Sequence, residues 1–332
     1  MIGRTAILLG RMVRPRVVIT MWTFMVIGLA RHAGPRIGTD LVAATLALAA
    51  SYAVATSVND VADVDIDRAN GLMDRSRPLA LGIATPGELR RVARVAAVGA
   101  FAAAIPLGPT GLAVVGLCLA VDVCYSAAPI RLSRRWTLAP IALTIAYVAL
   151  PYWLGIVVAH DRWRGVDMPL VVGLCVLFFA RIVLKDIRDR LGDAAYGKRT
   201  LLLRLGKDAT CILSVVCAVV GSSIIVLAIA PPPLVRVALG LDTAAIVWML
   251  LRLRHITDPT VELVTIGTAA RAGNLLLVTV LASLLLAGQA ADATVVATLV
   301  GFLTAVAGVS FLDLAIRPER ARIVYKAPAL PQ

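Results

Sequence analysis

The sequence predicts an all-α membrane protein of about ten transmembrane helices, and its composition, hydropathy and apolar runs support this fold class. Of its 332 residues, 60% are hydrophobic and only 16% are charged, and the mean hydropathy is +0.88. A soluble domain of this length needs more polar residues to cover its core. The apolar residues also form long runs such as 41–58. This run makes a helix roughly 27 Å long, close to the ~30 Å hydrocarbon thickness of a bilayer.

Turn-forming and charged residues separate the apolar runs and so place the helices. The predicted helices cover residues 17–30, 41–58, 92–107, 110–126, 137–159, 168–184, 209–230, 237–251, 272–288 and 293–315. Prolines and glycines break the chain between them, as at Gly108-Pro109. No soluble domain fits between these segments, so we expect a single membrane-embedded domain over residues 1–332.

The positions of the basic residues orient this arrangement. With ten helices, the two termini and the even-numbered connections share one side of the membrane and hold 26 Lys and Arg, whereas the odd-numbered connections hold 5. Cytoplasmic loops are enriched in these residues, so we expect a cell-membrane protein with both termini in the cytoplasm. The net charge of +13 then reflects basic loops facing anionic lipid, and we expect no nucleic-acid partner.

Two aspartate motifs repeat along the chain with the same spacing. Each has aspartates at positions i, i+3 and i+7, namely Asp60, Asp63 and Asp67 in the first and Asp186, Asp189 and Asp193 in the second. Residues so spaced lie on one face of a helix. Both motifs leave an even-numbered helix and therefore face the same side, here the cytoplasm. The repeat predicts similar halves, about 17–126 and 137–251, with extra C-terminal helices to about 315.

Three carboxylates on one face repel one another, which favours a bound cation. Mg²⁺ takes oxygen ligands and often binds through carboxylates together with substrate phosphates. Two facing clusters would hold Mg²⁺ ions that bridge a diphosphate. One cluster alone is equally well explained as acidic helix caps that balance nearby arginines. Two clusters of identical spacing, at equivalent positions beside a bilayer, favour a functional site.

Polar residues near the clusters are candidates for substrate binding. Lys185, Arg77, Lys198 and Arg199 flank the clusters, and such side chains bind phosphate oxygens. For the last three, a role as topology signals alone is the alternative.

A second group of polar residues lies at the end of the fourth predicted helix. Asp122 and Tyr125 share a face there, and with Arg131 they would form a patch that orients an acceptor. The other interpretation is that Asp122 forms an ion pair with Arg131 or Arg134.

These motifs resemble the two signatures of the UbiA-type intramembrane prenyltransferases. The matching residues are Asn59-Asp60-x-x-Asp63-x-x-x-Asp67 with Arg77-Pro78-Leu79, then Lys185-Asp186-x-x-Asp189-x-x-Gly192-Asp193 with Gly197-x-Arg199-Thr200-Leu201. Tyr125-Ser126 before Pro129 is similar to the end of the family's fourth helix, although many members have a lysine where Pro129 stands. The family is usually drawn with nine helices, so we expect nine to ten.

The resemblance implies a helix bundle around a central cavity, with Mg²⁺ as cofactor and an isoprenyl diphosphate as donor. The six aspartates would hold the metal, Asn59 would orient a ligand or bind metal, and the basic residues would steady the diphosphate. The allylic cation would then alkylate an aromatic or lipid acceptor that reaches the site from the membrane.

Three other functions remain open. A terpene cyclase of the same family would ionise the donor without an acceptor, and a phosphoribosyl transferase would use a polyprenyl phosphate as the acceptor. An ion transporter would use the carboxylates as ion ligands, but transporter sites lie near the membrane midplane, whereas these clusters lie at helix ends. Only 5% of the residues are aromatic, and we expect few of them near the clusters, which favours transfer over cyclisation.

Overall fold

The computed structural model describes residues 2–34, 38–70, 77–287 and 293–316, and these ranges contain helices but no strand. The α-helices are α1 (Ile2–Met12), α2 (Pro15–His32), α3 (Thr39–Ala62), α4 (Val64–Ala69), α5 (Pro86–Ala104), α6 (Gly108–Ser126), α7 (Leu138–Thr144), α8 (Leu150–Val158), α9 (Asp167–Ile182), α10 (Asp186–Ala195), α11 (Leu201–Ile229), α12 (Pro233–Leu253), α13 (Pro259–Ala287) and α14 (Ala293–Ile316). The all-α prediction is therefore confirmed.

The ten predicted segments fall on helices, but the number of membrane crossings stays a prediction. Six helical stretches of the described residues are long and apolar enough to cross a membrane, or seven if the bent pair α1 and α2 counts as one span. One stretch, Pro86–Ser126, has 41 residues; as one straight helix it would be roughly 60 Å long, which exceeds one crossing. The division into two similar halves also stays a prediction.

The chain folds back on itself within this stretch. Gly108 has a φ of +70° and separates α5 from α6, a conformation that favours glycine. Phe101 on α5 lies 3.8 Å from the position of a Cβ on Gly116 of α6, whereas a straight helix would separate these residues by roughly 22 Å. The two helices are therefore antiparallel, and both pack against α3.

The helix α1 lies beside the ends of α3 and α5 and bends away from α2 by 64°. Its apolar face buries Leu8 and Met12, while Arg4 is exposed and pairs with Glu88 at 2.5 Å. The hydroxyl of Thr56 on α3 donates to the Met12 carbonyl at 2.8 Å. This burial pattern is typical of an amphipathic helix at a membrane surface.

The helices α2 and α8 cross at a pair of glycines. A Cβ on Gly28 would collide with the backbone of Tyr152, and a Cβ on Gly155 would collide with the backbone of Met25. Small residues permit such close packing, which stabilises helix pairs where burial from water contributes little.

A buried polar cluster holds the far end of α2 to the start of α9. The ring nitrogens of His32 lie 3.0 Å from Asp161 Oδ2 and 2.9 Å from Asp167 Oδ1, and the Tyr152 hydroxyl donates to Asp167 at 2.8 Å. The side chains of His32 and Asp167 are fully buried. Because buried polar groups are costly without partners, this cluster stabilises the bundle at the end opposite the aspartates.

Replacing His32 with alanine is expected to lower the free energy of unfolding by about 3 kcal/mol, because the buried Asp167 carboxylate loses one of its partners. The measurement is thermal unfolding of the purified protein in detergent. The matched control is His160→Ala, since the His160 side chain is 78% exposed and its loss should leave the melting temperature nearly unchanged. Equal melting temperatures for the two variants would contradict a stabilising role for His32.

Candidate active site

The two aspartate clusters lie around one central cavity of about 1220 Å³. The predicted site residues that line it are Asn59, Asp63, Asp67, Arg77, Asp122, Tyr125, Lys185, Asp189, Asp193 and Lys198. Four others, Asp60, Asp186, Arg131 and Arg199, are outside this lining. Ligand pockets usually measure roughly 300–1,000 Å³, so this cavity has room for two substrates.

The first cluster is divided between two helices. Asp60 lies at the end of α3 and Asp67 lies on α4, while Asp63 between them has non-helical torsions (φ −118°, ψ 19°). The expectation of one continuous helical face is therefore wrong here. Arg131 explains the interruption, because its Nη2 donates to the Ala62 carbonyl at 2.6 Å and to Asp63 at 3.1 Å, which satisfies the free carbonyl at the end of α3.

Arg77 lies between the carboxylates of the first cluster. Its Nη1 donates to Asp60 at 2.8 Å, to Asp67 at 2.7 Å and to the Asn59 side chain at 3.2 Å. Asp60 is 1% exposed. Burial raises the pKa of Asp67 to about 7, although the charge of Arg77 acts in the opposite direction. Arg77 therefore neutralises the cluster, which a topology signal alone would not do.

The second cluster lies on α10. Burial raises the pKa of Asp186 to about 6. Burial acts the same way on Asp189, but the Arg188 guanidinium donates to both its oxygens, at 2.7 and 3.0 Å, and holds its pKa at about 2. Of Asp186 and Asp189, Asp189 is therefore the carboxylate that stays ionised more readily.

Lys198 connects the two clusters. Its Nζ lies 3.1 Å from Asp193 Oδ1 and 3.8 Å from Asp63 Oδ2. Burial opposes the charge of Lys198, but the carboxylates of Asp193 and Asp63 outweigh it and raise the pKa of this ammonium group. A cation held between both motifs is well placed for a phosphate, and its contact with a phosphate stays a prediction.

The helix α6 contributes Asp122 and Tyr125 to the cavity wall. Asp122 is 5% exposed and accepts a hydrogen bond from Ser51 at 2.7 Å. The ion pair considered for it, with Arg131 or Arg134, is wrong, because Arg131 turns toward Asp63. Lys185 donates to the Tyr125 hydroxyl at 3.1 Å. Arg199 is exposed, and its contact with a phosphate stays a prediction.

Several cavity residues were missed by the sequence reasoning. Arg14 donates to Asp60 at 3.1 Å, but its place in a basic N-terminal segment indicated only membrane topology. Arg188 lies inside the second motif, and the spacing pattern of that motif is defined by its aspartates alone. The aromatic residues Tyr52, Tyr147 and Phe178 also line the cavity, and the sequence reasoning did not single them out, because they lie in apolar runs.

The donor set around the cavity fits a hard divalent cation. Asp63, Asp67, Asp189 and Asp193 present carboxylate oxygens to one space, which suits Mg²⁺. Among the described residues, no three acidic, histidine or cysteine side chains form a ready-made ligand cage. This arrangement suits ions that take some of their ligands from the carboxylates and the others from a bound diphosphate.

Comparison with known proteins identifies the family. The model of the UbiA prenyltransferase family matches residues 17–265, which is more than half of the chain and includes both aspartate motifs. The chain belongs to the UbiA prenyltransferase family. The predicted resemblance is therefore confirmed, and the chain is an integral membrane prenyltransferase.

Relatives and solved structures agree with this membership. A digeranylgeranylglyceryl phosphate synthase from Methanoculleus marisnigri is 32% identical over 208 residues, which cover 58% of this chain and 69% of the relative. A homogentisate phytyltransferase from Synechocystis is 30% identical over 159 residues, 46% of this chain and 50% of the relative. A structure of a UbiA homologue from Archaeoglobus fulgidus bound to GPP and Mg²⁺ has a TM-score of 0.61 and 15% identity, and the match covers 83% of this chain and 99% of that one.

Proposed function

We propose that this UbiA-family enzyme transfers an isoprenyl group from an isoprenyl diphosphate to an aromatic or lipid acceptor, with Mg²⁺ bound between the two aspartate clusters. The observation that carries the proposal is the convergence of two distant motifs on one cavity, with Lys198 in contact with an aspartate of each. The Archaeoglobus fulgidus homologue solved with GPP and Mg²⁺ supports the choice of donor and metal.

The metal would be held by the carboxylates that line the cavity, Asp63, Asp67, Asp189 and Asp193, with Asp60 and Asp186 beside them. Bound Mg²⁺ supplies positive charge that stabilises the departing diphosphate. Lys198 and Arg77 would bind the phosphate oxygens left free by the metal. Asn59, which donates to Asp63 at 3.1 Å and to Ser126 at 3.3 Å, would keep the Asp63 carboxylate oriented.

The deeper part of the cavity suits an allylic cation. Tyr52 and Tyr147 are in edge-to-face contact at 5.7 Å between ring centres, and Tyr147 and Phe178 are in contact at 6.2 Å. Aromatic rings attract a cation, and apolar walls exclude the water that would quench it. The isoprenyl chain would therefore lie along these rings, with its diphosphate at the aspartates.

Two cations of the cavity favour an anionic acceptor. Arg11 has a buried Nη1 without a hydrogen-bond partner in the part of the chain that the structure describes, and Arg181 donates to the neutral Asn274 side chain at 2.7 Å. Buried charges are costly unless they are paired. An acceptor that carries a phosphate or carboxylate would pair with them, and the two relatives described above are named for a glyceryl phosphate and for homogentisate.

The site is proposed to face the cytoplasm. Arg14, Arg77 and Arg131 lie around the aspartates, at the end of the bundle that holds most of the basic residues. The positive-inside rule favours the cytoplasm for this end.

Product analysis tests the proposal and separates transfer from cyclisation. Purified protein with Mg²⁺ and geranylgeranyl diphosphate is expected to release little hydrocarbon, because a transferase turns over little donor until its acceptor is bound. Addition of a phosphorylated lipid alcohol, or of a hydroxylated aromatic acid, is expected to give a prenylated adduct detectable by mass spectrometry. Efficient conversion of the donor alone into a cyclic terpene would overturn the transferase assignment while leaving the metal site intact.

A further inference from the structure

Asn70 joins the two aspartate motifs directly. It follows α4, and its side-chain Oδ1 accepts a hydrogen bond from the backbone N–H of Gly192 on α10 at 2.6 Å. The two residues are 122 positions apart in the chain, and Asn70 is 2% exposed. Asn70 lies three residues after Asp67, and Gly192 lies directly before Asp193.

Gly192 allows this contact because it has no side chain. A Cβ at this position would lie 2.6 to 2.7 Å from the side-chain atoms of Asn70, which is closer than carbon atoms approach without a shift. A larger residue would therefore require the Asn70 side chain or one of the two helices to shift. Gly192 and Asn70 therefore pack directly against each other beside the cavity.

A second connection between the clusters, through Lys198, is less rigid. Lys198 reaches Asp193 and Asp63 through a long side chain, at 3.1 and 3.8 Å, and such a chain adapts to small shifts. The side chain of Asn70 is short and bonds to backbone. It therefore ties α4, which carries Asp67, closely to α10, which carries Asp189 and Asp193.

We propose that Asn70 is a positioning residue that sets the spacing of the two aspartate clusters for metal binding. This inference rests on the proposed function, in which both clusters bind metal together with the donor diphosphate. Metal sites need their ligands within roughly 0.5 Å of the right geometry, and loss of a supporting hydrogen bond typically weakens metal binding 10- to 100-fold.

The amide nitrogen of Asn70 provides a way to separate this role from direct ligand binding. Its Nδ2 is buried without a hydrogen-bond partner in the described ranges, and Asn70 lines the cavity. A role in positioning depends on Oδ1, whereas a role in substrate binding would depend on Nδ2. Asn70→Asp keeps an oxygen for Gly192 and loses the amide donor, while Asn70→Leu loses both.

The test measures Mn²⁺ binding to the purified protein in the presence of geranyl S-thiolodiphosphate, a donor analogue that does not ionise readily. The electron paramagnetic resonance signal of free Mn²⁺ reports how much metal is unbound. We expect Asn70→Leu to raise the dissociation constant for Mn²⁺ about 10-fold or more, and Asn70→Asp to stay near wild type. Gly192→Ala should weaken Mn²⁺ binding in the same way. The double variant Asn70→Ala/Gly192→Ala should bind Mn²⁺ no more weakly than Asn70→Ala, because the collision between Asn70 and the new Cβ is relieved.

The controls keep the outcome decisive. Leu191→Ala, at a neighbouring position on α10 that is 46% exposed, should leave Mn²⁺ binding and melting temperature unchanged. Wild-type Mn²⁺ affinity in Asn70→Leu would overturn the positioning role, and weak analogue binding by that same variant would then assign Asn70 to the donor instead. Absence of Mn²⁺ binding by the wild type would show that the metal proposal itself is wrong.

Discussion

Replacing Asp67 or Asp189 with asparagine is expected to lower kcat by at least about 100-fold, because each change removes charge that would hold the metal against the departing diphosphate. The fold should persist, since removal of one charge from a crowded group of carboxylates relieves repulsion when no metal is bound. The measurement is the rate of prenyl transfer over a range of Mg²⁺ concentrations, together with the melting temperature of each variant.

Asp65→Asn is the matched control for this prediction. Asp65 lies on α4 like Asp67, but its side chain is 64% exposed and pairs with Arg68 at 3.5 Å on the surface. Surface ion pairs contribute little, so activity and stability should stay near wild type. EDTA should abolish the wild-type rate and added Mg²⁺ should restore it. Retention of most of the activity in both cluster variants would disprove the metal clamp.

Replacing Arg77 with methionine is expected to affect both stability and activity. Arg77 donates to Asp60 and Asp67, and Asp60 is almost fully buried, so the change leaves buried carboxylates with fewer partners. Removing one member of a buried ion pair typically costs about 3–5 kcal/mol. We expect a clearly lower melting temperature in detergent and loss of turnover at all donor concentrations.

A second change separates the two effects. In the double variant Arg77→Met/Asp60→Asn, the uncompensated charge at Asp60 is gone, so part of the lost stability should return while turnover stays absent. Arg68→Met is the control, because this arginine is 51% exposed and contacts only a surface aspartate among the ion pairs described. A melting temperature of Arg77→Met equal to that of Arg68→Met would show that Arg77 does not stabilise the first cluster.

The sequence by itself determined the features that depend on local pattern. Long apolar runs predicted helices because a helix in a membrane must satisfy its own backbone hydrogen bonds. The break at Gly108 was visible because a glycine followed by a proline commonly marks a turn between helices. The repeated aspartate spacing predicted two carboxylate clusters and, through the family resemblance, the class of enzyme.

Only the tertiary structure decided how these features meet. Asp63 interrupts its helix because Arg131, 68 residues later, donates to it and to the end of α3. Asn70 and Gly192 meet across 122 residues, and no local spacing indicates that pair. A periodic pattern records the geometry of one helix, whereas these contacts depend on how the helices pack, and packing depends on the shapes of many side chains at once. For that reason the aspartates were predicted from the sequence, and the contacts that fix their positions were not.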